Sequence, residues 1–141
     1  MIFGTKAWLD AVVVALNRQP GLAAAVAGLA SDAAVIVERD AGFPRTATAY
    51  GRMVGGRVEA RLLPDEDEVL ELEPGYVVRA PYRLWKDLLL GRLDPVKAAT
   101  SGRVKVQGDL EALVRRVQHR VVIDAALREV ATAFPDEEGS R

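Results

Sequence analysis

Apolar residues in the first half of the chain follow two spacings, one of about 3.6 residues and one of two residues. The helical spacing predicts helices over 6–18, with Thr5 as the N-cap, and over 21–29. The alternating spacing predicts strands over 33–40, 45–54 and 57–63. Gly55-Gly56 joins the last two strands and is a strong signal for a two-residue hairpin turn. We therefore expect these three strands to form an antiparallel meander.

A strand over 76–80 and a helix over 82–90 are predicted next. Pro81 ends the strand, and Gly91 lies where a glycine commonly stops a helix. The helix carries one apolar stripe, made of Leu84, Trp85, Leu88 and Leu89. Such a stripe is typical of an amphipathic helix.

Asp94-Pro95 predicts a further short helix, because Asp94 can cap it and the missing N–H of Pro95 is harmless at the first position. Residues 100–102, Thr-Ser-Gly, end that helix. A strand is predicted over 103–107, because polar and apolar residues alternate there. One face of this strand carries Val104 and Val106.

The C-terminal third predicts a long helix after Asp109, with two apolar stripes. The first contains Leu110, Leu113, Val114, Val117 and Val121, and the second contains Ile123, Leu127, Val130 and Phe134. Either the helix bends near Val122–Asp124, or it buries two faces and one of them meets a partner. Earlier in the chain, after the strand over 57–63, residues 65–68 form an acidic link, and residues 69–73 are either a short strand or an irregular connector.

Together these elements predict an α+β fold with about five strands, mainly antiparallel, covered on one face by helices and followed by a long C-terminal helix. Residues 1–134 are predicted to be a single domain, and 135–141 a polar C-terminal tail.

Composition narrows the class of protein. The 141 residues carry a net charge of −1, whereas a nucleic-acid-binding module usually has a basic excess, so we expect no nucleic acid partner. No cysteine is present, which removes disulfides and thiolate sites and suits the cytoplasm. No apolar run approaches the length of a membrane span, so at most transient contact with a membrane surface is expected.

The sequence lacks the residue types that catalytic sites require. The single histidine, His119, lies among arginines, and no serine occupies a nucleophile elbow. One histidine cannot supply a catalytic metal site, and no glycine-rich phosphate motif is present. The sequence therefore predicts a protein that is not an enzyme and that has no metal and no cofactor.

The segments PYRLWKDLLLGRLDP and SGRVKVQGD resemble the C-terminal half of the sterol carrier protein 2 (SCP-2) like family. The shared pattern is an aromatic-containing helix, a Gly-x-x-Asp-Pro step and a Ser-Gly strand that ends in Gly-Asp. The resemblance is dense over about a quarter of the chain, and the order of the other elements agrees with it. It implies the SCP-2-like fold and an apolar tunnel that holds fatty acyl chains, acyl-CoA, sterols or phospholipids.

Small residues at 47, 49, 51 and 60 leave room beneath the helices for such a cavity, although an ordinary packed core explains the same pattern. The resemblance assigns the cavity walls to the helix over 82–90, the strand over 103–107 and the start of the last helix. The predicted lining residues are Trp85, Leu88, Leu89, Val104, Val106, Leu110, Leu113, Val114, Val117, Ala49 and Val58.

Arg116 and Arg120 are neighbours on a helix and could hold an anionic head group, together with Arg115 and His119 in one basic cluster. The alternative is a solvated helix face, or pairing of Arg115 with Glu111 four residues before it.

The function predicted from the sequence is non-catalytic binding and transfer of a lipid or acyl-CoA ligand. The alternative is an accessory or dimerisation domain of the same fold, with a homodimer formed through the C-terminal helix.

Overall fold

The computed structural model describes residues 1–116 and 120–138. Its centre is a five-stranded sheet with the spatial order β3-β2-β1-β4-β5. The strands are β1 (Asp32–Glu38), β2 (Ala47–Val54), β3 (Arg57–Leu63), β4 (Tyr76–Pro81) and β5 (Lys105–Gln107). β1 and β4 are parallel, and the other neighbouring pairs are antiparallel, so the predicted meander and the mainly antiparallel sheet are confirmed.

Eight helices are described around this sheet, and several begin where the sequence predicts. They are α1 (Lys6–Asn17), α2 (Leu22–Val26), α3 (Asp67–Leu72), α4 (Tyr82–Leu89), α5 (Pro95–Thr100), α6 (Leu110–Arg115), α7 (Arg120–Arg128) and α8 (Pro135–Glu138). The side chain of Thr5 caps α1, Asp94 caps α5 with Pro95 in its first turn, and Asp109 caps α6. Each cap lies within three residues of the amide that it accepts from, which is why the sequence alone could locate these helix starts.

Most of the helices cover one face of the sheet. Val35 lies opposite Ala49 and Val78 in the sheet, and Val78 lies opposite Val106, so these four residues share that face. The same face carries Val37, which packs against Trp8 of α1 and Trp85 of α4. We call it the helical face.

The opposite face is covered by α3, which corrects the sequence analysis at two points. Residues 69–73 were expected to be a strand or an irregular connector, but 67–72 form a helix, and the sheet is therefore not covered on one face alone. Val69 of α3 packs against Ala34 and Leu63, and Ala34 points away from its neighbour Val35. Burial of Val69 and Leu72 against the sheet favours a helix over the extended alternative.

The C-terminal segment is two helices rather than one long helix, and this prediction is confirmed only in part. α6 ends at Arg115, and α7 runs from Arg120 to Arg128, so the helix continues through Val122–Asp124, where a bend was one of the two expectations. The two apolar stripes explain the break. The stripe on α6 faces the sheet, whereas Ala126 and Val130 pack on Val12 and Ala15 of α1, and one straight helix cannot meet both directions.

The second stripe is used within the chain. Leu127 and Val130 contact α1, and Phe134 joins an aromatic cluster that also contains Phe3, Phe43 and Tyr82. These residues therefore do not form a free apolar face. A homodimer through the C-terminal segment remains a prediction that would need other residues.

Part of the predicted polar tail is attached to the domain through Asp136. The hydroxyl of Tyr82 donates to Oδ1 of Asp136 at 2.6 Å, and Nζ of Lys86 lies 2.9 Å from Oδ2. Lys86 also lies 3.0 Å from Glu137 and is only 13% exposed. Helix α8 is therefore held against α4 by a small polar network, while residues 139–141 lie outside the described part of the chain.

The polar network around Asp136 predicts how the free energy of unfolding depends on pH. The hydrogen bond from Tyr82, with another from Lys86, lowers the pKa of Asp136 below its ordinary value of 3.8, against the opposing effect of burial. A lowered pKa in the folded state stabilises the fold above that ordinary value, and the contribution is lost as pH falls through the folded pKa. We expect Asp136→Ala to lower the free energy of unfolding at neutral pH and to change it much less at about pH 2.

Urea unfolding of both proteins at the two pH values measures this. Asp10→Ala is the control, because Asp10 pairs with Lys6 in an exposed contact, at 54% and 82% side-chain exposure, that contributes little. If Asp136→Ala lowered the free energy of unfolding equally at both pH values, the lowered pKa of Asp136 would be contradicted.

Candidate ligand-binding site

A cavity of about 350 Å³ lies between the helical face of the sheet and five helices. Val78 and Val106 form its floor, and the helices supply the walls. The lining residues are Ala25, Val26, Leu29, Val78, Trp85, Leu88, Pro95, Val96, Ala99, Val104, Val106, Leu110, Leu113, Val114, Arg116, Arg120 and Ile123. Apart from the two arginines, every one of these described residues is apolar. We call this space the apolar cavity.

Trp85 is fixed in the wall by its one polar atom. The indole Nε1 donates to the carbonyl oxygens of Ile36, at 3.2 Å, and Ala80, at 3.1 Å. The ring is half-buried, and its apolar surface contributes to the cavity. Leu88 follows Trp85 by three residues on α4 and therefore lies on the same side of the helix. The polar atom is satisfied in the sheet, so nothing polar from this residue enters the cavity.

Helix α6 supplies the least covered wall. Its apolar residues Leu110, Leu113 and Val114 are all half-buried, and the helix contains no buried residue. Apolar side chains that line a space in this state remain partly in contact with water. A ligand in the cavity would remove that contact, so α6 is the wall on which an apolar ligand would have the largest effect.

The two arginines lie at the edge of the apolar cavity and have different partners. Nη1 of Arg116 donates to the carbonyl oxygen of Ala24 at 3.2 Å, which ties the end of α6 to α2. Nε of Arg120 lies 3.8 Å from a carboxylate oxygen of Asp124, one turn further along α7. The predicted pairing of Arg115 with Glu111 is confirmed at 3.6 Å. Arg116 therefore has a structural contact, whereas the contact of Arg120 with Asp124 is long and exposed.

The structure brings together seven of the predicted lining residues around this cavity: Trp85, Leu88, Val104, Val106, Leu110, Leu113 and Val114. Leu89 instead packs against the aromatic cluster and does not line this cavity. Ala49 and Val58 lie on the part of the helical face near α1, whose Asn17 side chain bonds both backbone groups of Val58. Val117 lies outside the described residues. The role of the seven as ligand contacts remains a prediction.

Sequence reasoning missed the contribution of α2, α5 and α7 to the lining. Val26 and Leu29 share one side of the predicted second helix, but nothing in their spacing shows what that side faces. Ile123 was assigned to the second stripe and lies in the cavity wall instead. These residues meet the sheet only through the tertiary arrangement, so no local signal could have found them.

Two further properties bear on what the site can do. Within residues 1–116 and 120–138, no group of three or more metal-ligating side chains comes together. Across the same residues, no helix is both long and apolar enough to cross a membrane.

Residues 57–118 match the model of the SCP-2 sterol transfer family. This segment includes α4, α5, β5 and α6, which carry most of the cavity lining. Among curated proteins, none matches the chain.

Solved structures support the same resemblance over nearly the whole chain. A conserved hypothetical protein from Thermus thermophilus, described as a candidate sterol carrier protein, is 27% identical, with 93% of this chain and 91% of that chain covered and a TM-score of 0.74. A crystal structure of sterol carrier protein 2 is 28% identical, with 92% and 99% covered and a TM-score of 0.73. The same fold also occurs within a sec-alkyl sulfatase, at 14% identity and a TM-score of 0.51, where the match covers 94% of this chain but 17% of that one. The predicted resemblance to SCP-2 proteins is confirmed.

Proposed function

We propose that this chain, which resembles the SCP-2 sterol transfer family in sequence and fold, binds one lipid by its acyl chain in the apolar cavity and carries it without chemical change. The observation that carries the proposal is the cavity of about 350 Å³ lined by apolar side chains from five helices and the sheet. A volume of this size lies within the range of small-ligand sites, about 300–1,000 Å³.

The lining also suggests how such binding is driven. Burying an acyl chain contributes about 0.8 kcal/mol per methylene, and that contribution depends on contact area rather than on direction. The described lining offers no polar group deep in the cavity that would select one chain. We therefore expect the cavity to bind long chains tightly and to select loosely for chain type, whether the ligand is a fatty acid, an acyl-CoA, a phospholipid or a sterol-like molecule.

A tightly packed core was the other interpretation of the same residues. Protein cores pack at a density of about 0.75 with few voids larger than a water molecule. Here Leu113 and Val114 are left only half-buried beside a space that Val78, Val104 and Val106 also border. This arrangement favours a ligand site over a filled core. The cysteine-free sequence is the basis for a cytoplasmic location, which is also a proposal.

Native mass spectrometry of the purified protein, followed by organic extraction and identification of the lipid, tests this function. We expect a fatty acid, acyl-CoA or phospholipid bound at close to one per chain. A ligand-free mass that persists after incubation with palmitate and with palmitoyl-CoA would argue against a carrier. If that ligand-free protein were a dimer, the accessory-domain alternative would be preferred.

A further inference from the structure

A second and more polar cleft, of about 690 Å³, lies beside the apolar cavity. It is bounded by the end of α4, the α4–α5 connection and the outer side of α7. The two spaces share Leu88, Pro95 and Arg120, so these residues form the boundary between them. We call this second space the polar cleft.

The charged groups of the polar cleft are three arginines and two aspartates. Asp94 is already engaged, since its carboxylate accepts from the amides of Val96 and Lys97 as the cap of α5. Asp124 faces Arg120 across 3.8 Å, and Arg92 pairs with Asp87 at the same separation. Arg128 forms no ion pair or side-chain hydrogen bond with any residue that the structure describes. The cleft therefore has positive charge that is poorly compensated.

We infer that the polar cleft takes the phosphate-bearing head group of the ligand whose acyl chain occupies the apolar cavity. Arg120 and Arg128 bind the phosphate. This inference rests on the proposed function, and it selects one class among its ligands: acyl lipids with a phosphate in the head group, over neutral lipids and free fatty alcohols.

Arg120 is placed to connect the two parts of such a ligand, because it lines both spaces. Its contact with Asp124 is long and joins side chains that are 51% and 54% exposed, so it is weak. A phosphate carries more charge than a carboxylate and accepts two parallel hydrogen bonds from a guanidinium. It can therefore replace Asp124 as the partner of Arg120. Arg116 is not assigned this role, because its guanidinium holds the carbonyl of Ala24.

Two lipids that differ by one phosphate test the inference directly. Lysophosphatidic acid with a palmitoyl chain and monopalmitoylglycerol share the acyl chain and the glycerol. We expect the protein to bind the phosphate-bearing lipid about tenfold more tightly, and Arg120→Gln/Arg128→Gln to remove this preference. Arg128→Gln alone, at a residue that lines only the polar cleft, should reduce the preference while the affinity for monopalmitoylglycerol changes by less than about twofold. The preference should also shrink as ionic strength rises from about 0.01 to 1 M.

Two control variants separate charge from position. Arg57→Gln/Arg115→Gln makes the same change in net charge at positions outside both spaces and should keep the preference. Arg120→Lys/Arg128→Lys keeps the charge and should retain most of it. A loss of preference in the Arg57/Arg115 variant would contradict the inference, since it would show a general charge effect.

The remaining outcomes distinguish this inference from the proposed function. If monopalmitoylglycerol binds but the phosphate adds nothing, the head-group site is wrong and acyl binding stands. If glycerol phosphate alone binds as tightly as the lysophospholipid, the cleft is an independent anion site, and the link to the acyl chain is wrong. If neither lipid binds, both proposals fail.

Discussion

Ala99→Trp is expected to weaken acyl-chain binding by roughly 200-fold while leaving the protein folded. Ala99 lies on α5, is half-buried and lines the apolar cavity, so a tryptophan there would project into the space proposed for the ligand. Displacing about four methylenes, at about 0.8 kcal/mol each, corresponds to a loss of that size. The fold should tolerate the change, because the new ring would fill the cavity rather than displace packed side chains.

The matched control is Lys97→Trp, which adds the same ring two residues earlier on an exposed position of α5 outside the cavity lining. Titration with a fluorescent palmitate analogue gives the affinities, and circular dichroism checks that both variants are folded. Equal affinity for the wild type and a folded Ala99→Trp would show that the acyl chain binds elsewhere. Equal weakening in Lys97→Trp would show an indirect effect on α5.

Tyr82→Ala is expected to lower the free energy of unfolding by about 3–5 kcal/mol, as is usual for removal of a buried aromatic ring. Tyr82 is 1% exposed and is the largest fully buried side chain in the described part of the chain. Its ring stacks on Phe43 at 4.8 Å between centroids and lies 5.7 Å from Phe3. One residue thus connects the N-terminus, the β1–β2 connection and α4.

Tyr82→Phe separates the ring from the hydroxyl. It keeps the stacking and removes only the hydrogen bond to Asp136, so it should reduce the unfolding free energy by about 1 kcal/mol. Urea unfolding of both variants measures the difference. If Tyr82→Ala were no more destabilising than Tyr82→Phe, the packing of the Tyr82 ring in the aromatic cluster would not stabilise the fold as expected.

The two effects are linked through α4. Tyr82 belongs to the aromatic cluster, Leu88 lines the apolar cavity, and Trp85 both packs against the cluster and lines the cavity. The aromatic cluster therefore supports the helix that presents Trp85 and Leu88 to a ligand. A variant such as Tyr82→Ala should weaken lipid binding only to the extent that it unfolds the protein or loosens α4.

The elements with local signals could be predicted from the sequence. The Gly55-Gly56 hairpin, with positive φ at both glycines, and the caps Thr5, Asp94 and Asp109 all lie where the sequence analysis expected them. The alternation in 103–107 correctly placed Val104 and Val106 toward the same space. These features depend on neighbours one to four residues away, so the order of residues is enough to define them.

The tertiary structure decided what each apolar face meets. The parallel pairing of β1 with β4, the helix at 67–72 and the break between α6 and α7 all depend on contacts between distant segments. Alternation shows which residues share a side of a strand, but not which helix covers them. For that reason Ala49 and Val58 lie near α1 rather than in the cavity, and Ile123 lies in the cavity rather than at an interface. The sequence by itself determined most of the helices and strands and seven of the residues that line the cavity, because their signals are local. Packing of remote segments determined the helix at 67–72, the other lining residues and the position of the polar cleft beside the cavity.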